Sequence, residues 1–333
     1  MATGAITSRA DGNVVVDAVG PQDRGRTLQL ALATVWLLDG ALQLQPFMFT
    51  SGPKGFSGML AGTAGGNPRW VSSSIIWNSS VVGHHVVAAD TLFALMQLAI
   101  GFGIAWRATV RPALAASMVW CALVWWFGEG LGGVLRGTGI PLGGGPGAVL
   151  FYGLLAVLLW PADRPGPGCA FVAGRAVGAT VAMAMWSVLW VGMAVLGLLG
   201  TGRSPQGVHD LITALDQGQP GWLQFIDRHA AALVDGRGLA VAVVFATLGV
   251  AVGAGIWLPR RGAQVAVVTA VVIAVVIWIV GEDFGMILAG GATDPNSGPV
   301  LLLIALAYWP LADVRRDRTA DRSPVGAAAP SSV

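Results

Sequence analysis

The chain has little charge: 19 basic and 17 acidic side chains in 333 residues, or 11%. That is less than half the share a soluble domain carries. With 55% of residues hydrophobic and a mean hydropathy of +0.70, one aqueous core could not hide so much apolar surface, which excludes a soluble globule. Lysine is almost missing, with Lys54 the sole example, and the net charge of +2 excludes nucleic acid as a partner, because that needs a concentrated basic face. The two cysteines, Cys121 and Cys169, are too few and too far apart for a disulfide framework or CxxC chemistry. The four histidines give no haem or metal motif. None lies deep in an apolar run, and the adjacent His84 and His85 point apart in extended backbone. The Gly-rich stretches around 128–133 and 143–147 lack a following Lys-Ser or Lys-Thr, so they form no phosphate loop.

What the chain does have is apolar length. Eight runs, at 27–45, 90–106, 112–128, 147–160, 176–199, 239–258, 264–281 and 299–312, approach the ~20 residues that a helix needs to cross ~30 Å of hydrocarbon, although the fourth and eighth are short. In lipid the backbone must satisfy its own hydrogen bonds, so runs of this length are expected to be helices. Thirteen basic residues, including Arg26, Arg107, Arg111, Arg175, Arg260, Arg261 and Arg315, fall on one side of an eight-span topology and six on the other. The positive-inside rule then puts both termini in the cytoplasm of a bacterial plasma membrane. Asp11, Asp17 and Asp23 precede any apolar run, which is unlike a cleavable signal. Two outward loops, 46–89 and 200–238, are long enough to be functional or packed features.

The chain also repeats itself. At a constant offset of 153, Trp125, Gly128, Glu129, Gly132, Leu135, Gly137, Gly145 and Pro146 recur as Trp278, Gly281, Glu282, Gly285, Leu288, Gly290, Gly298 and Pro299. Each copy ends in Trp-Pro, at 160–161 and 309–310, with an offset of 149. Four spans per copy make the copies parallel, related by an axis along the membrane normal. The predicted fold is an all-α integral membrane protein of eight transmembrane helices in two four-helix repeats. Repeat 1 spans 27–161 and repeat 2 spans 176–312, flanked by cytoplasmic tails (1–26, 313–333) and joined by a linker (162–175).

At 1.5 Å per residue, Glu129 lies about 27 Å beyond Arg111 and Glu282 about 31 Å beyond Arg261, at the outward edge of the hydrocarbon. The same ruler puts Asp39 about 20 Å from Arg26 and Asp90 about 26 Å from Arg107, with Gln97 near mid-membrane. Ionisable groups at such depths cost a few kcal/mol and mark functional candidates. Asp39, Gln43, Asp90, Gln97, Glu129, Glu282 and Asp283 are therefore the candidate ligand or proton-pathway residues. The first-repeat members are expected to converge on one outward-facing pocket with His84 and His85 at its rim. Glu129 and Glu282 have a second reading, in which each carboxylate accepts backbone N–H bonds and pins the glycine-rich turn after it. Asp39 has no carboxylate counterpart in repeat 2, where the aligned residues are Trp190-Val191-Gly192-Met193. Trp106, Trp257, Trp160 and Trp309 sit at equivalent span ends, as an aromatic belt would.

The first span ends in Asp39-Gly40-Ala41-Leu42-Gln43-Leu44-Gln45-Pro46, and the second carries Gly101-Phe102-Gly103 followed by Arg107 and Arg111. These patterns resemble the DoxX-like family, which includes the small membrane subunit of thiosulfate:quinone oxidoreductase. Gln43 stands where that family usually has lysine, and here two units are fused. The resemblance implies a redox- or envelope-associated subunit that binds a quinone or lipid-like ligand, with a redox or membrane-complex protein as partner. It carries no catalytic residue across. A small-solute or proton-coupled transporter, and a non-catalytic structural subunit, are the rival expectations.

Overall fold

A computed structural model gives the architecture over residues 21–162 and 170–311, with side chains described from residue 24. Most of the expected 1–26 tail, half of the 162–175 linker, the 313–333 tail and Cys169 lie outside the described residues. Within them no strand occurs. The helices are α1 (Pro21–Leu42), α2 (Phe56–Gly62), α3 (Arg69–His84), α4 (Val86–Ala105), α5 (Val110–Phe127), α6 (Ala148–Leu158), α7 (Gly174–Val177), α8 (Ala179–Leu199), α9 (Gly207–Leu215), α10 (Gly221–Val234), α11 (Gly238–Gly255), α12 (Arg260–Val276) and α13 (Ser297–Ala307). Five are long and apolar enough to cross a membrane: α4, α5, α8, α11 and α12 with its continuation to Ala289. The chain is thus a helical membrane protein.

Three of the eight expected spans are not among these five: the 27–45 run, which lies in α1, and the two shortest runs. The runs at 147–160 and 299–312 hold only the 11-residue helices α6 and α13, about 16 Å each. Each helix stops before the Trp-Pro that ends its run, α6 at Leu158 and α13 at Ala307. Both helices are central: Phe151, Tyr152, Leu155, Leu301, Ile304 and Ala305 are fully or almost fully buried in one continuous core. A helix that is apolar all round and surrounded by other helices can be short, because its backbone is shielded by protein. The long loops are packed helical segments: α2 and α3 in one, α9 and α10 in the other. Pro68 and Pro220 stand immediately before α3 and α10, where a missing N–H costs nothing.

Side-chain bonds fix the two ends of the bundle. Arg26 on α1 donates to the carbonyls of Ile104 and Ala105 at the end of α4, and Gln29 Nε2 donates to Leu159 O just past α6 (2.9 Å). The start of α1 and the ends of α4 and α6 therefore share the arginine end. The end of α1, the start of α4, the end of α5 and the start of α6 share the opposite end, where Asp39 and Glu129 lie. There the two halves of the chain interlock. Thr201 Oγ1 donates to Thr138 O (3.4 Å), and Gln45 Nε2 donates to Ala292 O (2.8 Å). The turn after α5 thus reaches the second half, and the turn before α13 reaches the first.

Candidate ligand pocket

The apolar faces that build the bundle leave a largely apolar opening with a few polar groups at this end. It is a cavity of about 510 Å³. Asp39 lies three residues after Trp36 on α1 and four before Gln43, so the three share a helix face and all line the cavity. Phe93 and Gln97, four apart on α4, face it, as do Trp120, Val124 and Phe127 of α5. Glu129 and the first residues of α6 close one side. Gly285, Met286, Gly291, Ala292, Thr293, Asp294 and Asn296 close the other.

Four of the expected site residues thus come together: Asp39, Gln43, Gln97 and Glu129. The pocket is not confined to the first repeat, as the sequence suggested, because the segment before α13 supplies a wall. Asp90 is fully buried with both oxygens unpartnered, on the α4 face of Phe93 and Gln97, but does not line the cavity. His84 is not at the rim either. It lies in a separate hollow with Ser51, Pro53, Ser57 and Ser80, and His85 is exposed. His84 ends α3 and His85 joins it to α4, and neither lines the pocket.

Hydrogen bonding inside the cavity is incomplete. Asp39 Oδ1 accepts from the Tyr152 hydroxyl (3.2 Å). Gln43 Oε1, Gln97 Oε1, Glu129 Oε2 and the indole nitrogens of Trp36 and Trp120 are buried without partners. Buried polar atoms are paired in the great majority of native structures, and these orphans belong to side chains that line the cavity. Asp294 is the pocket residue that sequence reading missed. It accepts from Thr293 Oγ1 (2.7 Å) and Asn296 N (2.7 Å). Burial pushes its carboxyl above the ordinary range, more than these donors pull it down. A single acid in a Thr-Asp-Pro-Asn turn reads as a turn residue, so only the chain crossing could reveal its place.

The two glutamates have the pinning role. Glu129 Oε1 accepts from Val149 N (3.2 Å) in the first turn of α6. Glu282 accepts from Ser297 N (3.1 Å), Gly298 N (2.9 Å) and the Ser297 hydroxyl at the start of α13. Each carboxylate sits where orphan N–H groups and the helix dipole favour negative charge. Glu129 is pinned and also faces the cavity, whereas Glu282 is pinned and does not.

The tryptophans of the motif show which turn residues correspond. Trp125 Nε1 donates to Pro146 O (2.8 Å) and Trp278 Nε1 to Pro295 O (3.0 Å). The counterpart of Pro146 is therefore Pro295, at the Trp-Pro offset of 149, and not Pro299. Gly298 and Pro299 lie inside α13, whereas Gly145 and Pro146 precede α6. Gly132 and Gly285 have matching surroundings. Both have positive φ (58° and 70°), and an added Cβ would strike Pro146 O in one case and the Asp294–Pro295 backbone in the other. Gly128 and Gly281 precede these turns, and a Cβ on Gly281 would strike Leu142 O.

Asp283 has a different neighbour. Its carboxyl lies against that of Asp227 on α10, with Asp216 near both. Both residues are buried (0% and 1% exposed), and their four oxygens have no donor. Burial, reinforced by Asp216, pushes the Asp227 carboxyl up; the pair is tolerable only with a proton on it. No family model, curated protein or solved structure matches the chain.

Proposed function

We propose that this is an eight-span bacterial plasma-membrane protein of DoxX-like type, built from two parallel four-helix units with cytoplasmic termini. Its role in this reading is to hold a lipid-like small molecule in the outward pocket, as a redox- or envelope-associated subunit with a quinone among the ligands to test. The observation that carries it is the cavity itself: about 510 Å³, largely apolar, with few convergent polar atoms left unpaired. That is the make-up of a small-molecule site. A merely structural subunit would have no reason to keep unpaired polar atoms around an open volume.

The test is mass spectrometry and absorbance of protein purified in mild detergent, wild type beside Asp39→Asn. A stoichiometric organic ligand that leaves with the substitution supports the reading. A folded wild type with nothing bound, and no saturable binding of decylubiquinone or other lipid-like probes, overturns it. One observation favours transport as a second reading. The cavity wall comes from both halves of the chain, so relative movement of the halves would open or close it. Proteoliposome flux that depends on Asp39 would select that reading.

A further inference from the structure

We infer that the occupant of this cavity is an organic cation, a protonated amine on an apolar body, whose charge sits beside Asp39. This rests on the reading of the cavity as a ligand site and specifies what that site takes. Three carboxyl groups, those of Asp39, Glu129 and Asp294, line the volume, and its described lining contains no arginine, lysine or histidine. Acids brought together out of water need a countercharge or a proton. The fold supplies no basic side chain in the described lining, so the positive charge comes from protons on the acids or from the occupant, and a cationic occupant is the choice that also uses the acceptors around them.

The unpartnered atoms point the same way. Gln43 and Gln97 are 6% and 7% exposed, line the cavity, and leave their Oε1 atoms without donors. Glu129 Oε2 is a third unpartnered acceptor. Acceptors call for N–H donors on the ligand, and an ammonium carries three of them on one charge. Among the acids Asp39 is the one left for this role. Glu129 already serves the start of α6 and Asp294 serves its own turn, whereas Asp39 receives a bond from the neutral Tyr152 hydroxyl. The walls suit a cation as well. The Phe93 and Trp120 rings meet edge-on at 5.5 Å, Trp36 packs edge-on to Tyr152 at 5.0 Å, and such faces attract ammonium groups. The free indole N–H groups of Trp36 and Trp120 accommodate an acceptor elsewhere on the ligand but do not offset three acids. The apolar remainder of the cavity is far larger than a metal ion needs, and no described group of three His, Cys, Asp or Glu residues has metal-holding geometry.

The test uses the full chain in phosphatidylcholine nanodiscs at pH 7, with empty nanodiscs as baseline. Equilibrium dialysis compares 4-phenylbutylamine, its uncharged analogue 4-phenylbutan-1-ol, and decylubiquinone. The expected result is saturable amine binding at least tenfold tighter than that of the alcohol, weakened at least tenfold by Asp39→Asn. Equal binding of amine and alcohol, or amine binding indifferent to Asp39→Asn in a folded protein, overturns the inference. Binding of the alcohol or the quinone without the amine overturns the cation while leaving the ligand pocket standing. Absence of saturable binding by all three overturns both. The amine-to-alcohol ratio is read on the wild type, so a misfolded variant does not remove the test.

Discussion

Two helix pairs cross by the same kind of contact and do different things with it. On α4, Gly101 sits against Leu37 and Ala33 of α1. On α11, Gly253 sits against Val191 and Ser187 of α8. Matching these contacts pairs Trp36 with Trp190, Asp39 with Met193, Gln43 with Gly197 and Gln97 with Gly249. The first pair carries acid and amides around an open volume. The second carries a methionine and two glycines, and the chain fills the space: Pro141 lies against Gly197, and Leu211 against Gly143. The backbone crossing that glycine permits is thus compatible with a polar cavity or with solid packing. At these matched positions the acid and the two amides stand where the cavity is, and methionine and glycine stand where the packing is solid, which marks Asp39, Gln43 and Gln97 as serving the opening rather than the crossing.

The turns after α5 and α12 make a second comparison. Gly130, Leu131, Gly132 and Gly133 are all left-handed, and so are Asp283, Phe284, Gly285 and Met286. The first turn uses three glycines. The second places three side chains in a conformation costing about 1–2 kcal/mol each for an L-residue. Phe284 is held between Trp222 and Trp278, at 6.0 and 5.0 Å, and Met286 Sδ accepts from Gln219 Nε2 (3.2 Å). The same path is secured by backbone freedom in one half and by aromatic packing in the other.

The largest expected break in the first comparison is the reciprocal exchange. Met193→Asp buries an unpaired carboxyl in filled packing and should cost more than about 3 kcal/mol, seen as loss of the monodisperse detergent-solubilised species. Asp39→Leu should leave thermal stability equal or higher while abolishing ligand binding. A stable Met193→Asp beside an unstable Asp39→Leu would show the contact matching to be wrong. Next in size are the pinning glutamates. Glu282→Ala leaves two backbone donors and the Ser297 hydroxyl unserved and should cost roughly 2–4 kcal/mol, with Glu129→Ala costing less, about 1–2 kcal/mol. Thermal unfolding of both variants gives the order.

A smaller effect tests the carboxyl pair beside the second turn. Burial holds the Asp227 proton to higher pH in the folded state than in the unfolded chain. Its cost is therefore absent below about pH 4, where both states are protonated, and grows as pH rises. Asp227→Asn should melt higher than wild type at pH 8 and match it near pH 4. An advantage that grew on acidification would contradict the cause. The smallest effect belongs to Trp257, half-exposed at the end of α11, whose indole donates to Ser187 Oγ (2.9 Å). Trp257→Phe should cost no more than about 0.5–1 kcal/mol in the same melts.

Much of this was legible in the residues. Apolar runs located the long helices because a lipid-facing helix must be apolar along its length. The depth ruler found Asp39, Gln97 and Glu129, and the Glu-Gly motif disclosed two turns of one design. That α6 and α13 are short was legible in their runs, but not that each helix stops before its Trp-Pro, because an apolar helix and the apolar turn that follows it have the same composition. Nor was the four-residue shift between Pro146 and Pro295, since Gly145-Pro146 and Gly298-Pro299 match as letters while lying in different conformations. Asp294 was missed and His84 misplaced for one reason: their surroundings come from parts of the chain far away in sequence.

The sequence by itself determined that this chain belongs in a membrane, that its elements are helices, and that carboxylates sit at the ends of two of them. Those are local consequences of apolar length, backbone hydrogen bonding and 1.5 Å per residue. Only the tertiary structure decided which carboxylate faces an open volume, which is spent on a helix start, and which leans on another acid. Burial and hydrogen-bond supply are set by neighbours more than a hundred residues away: Tyr152 for Asp39, and the 291–296 segment for the pocket wall. No local pattern in the chain encodes that meeting.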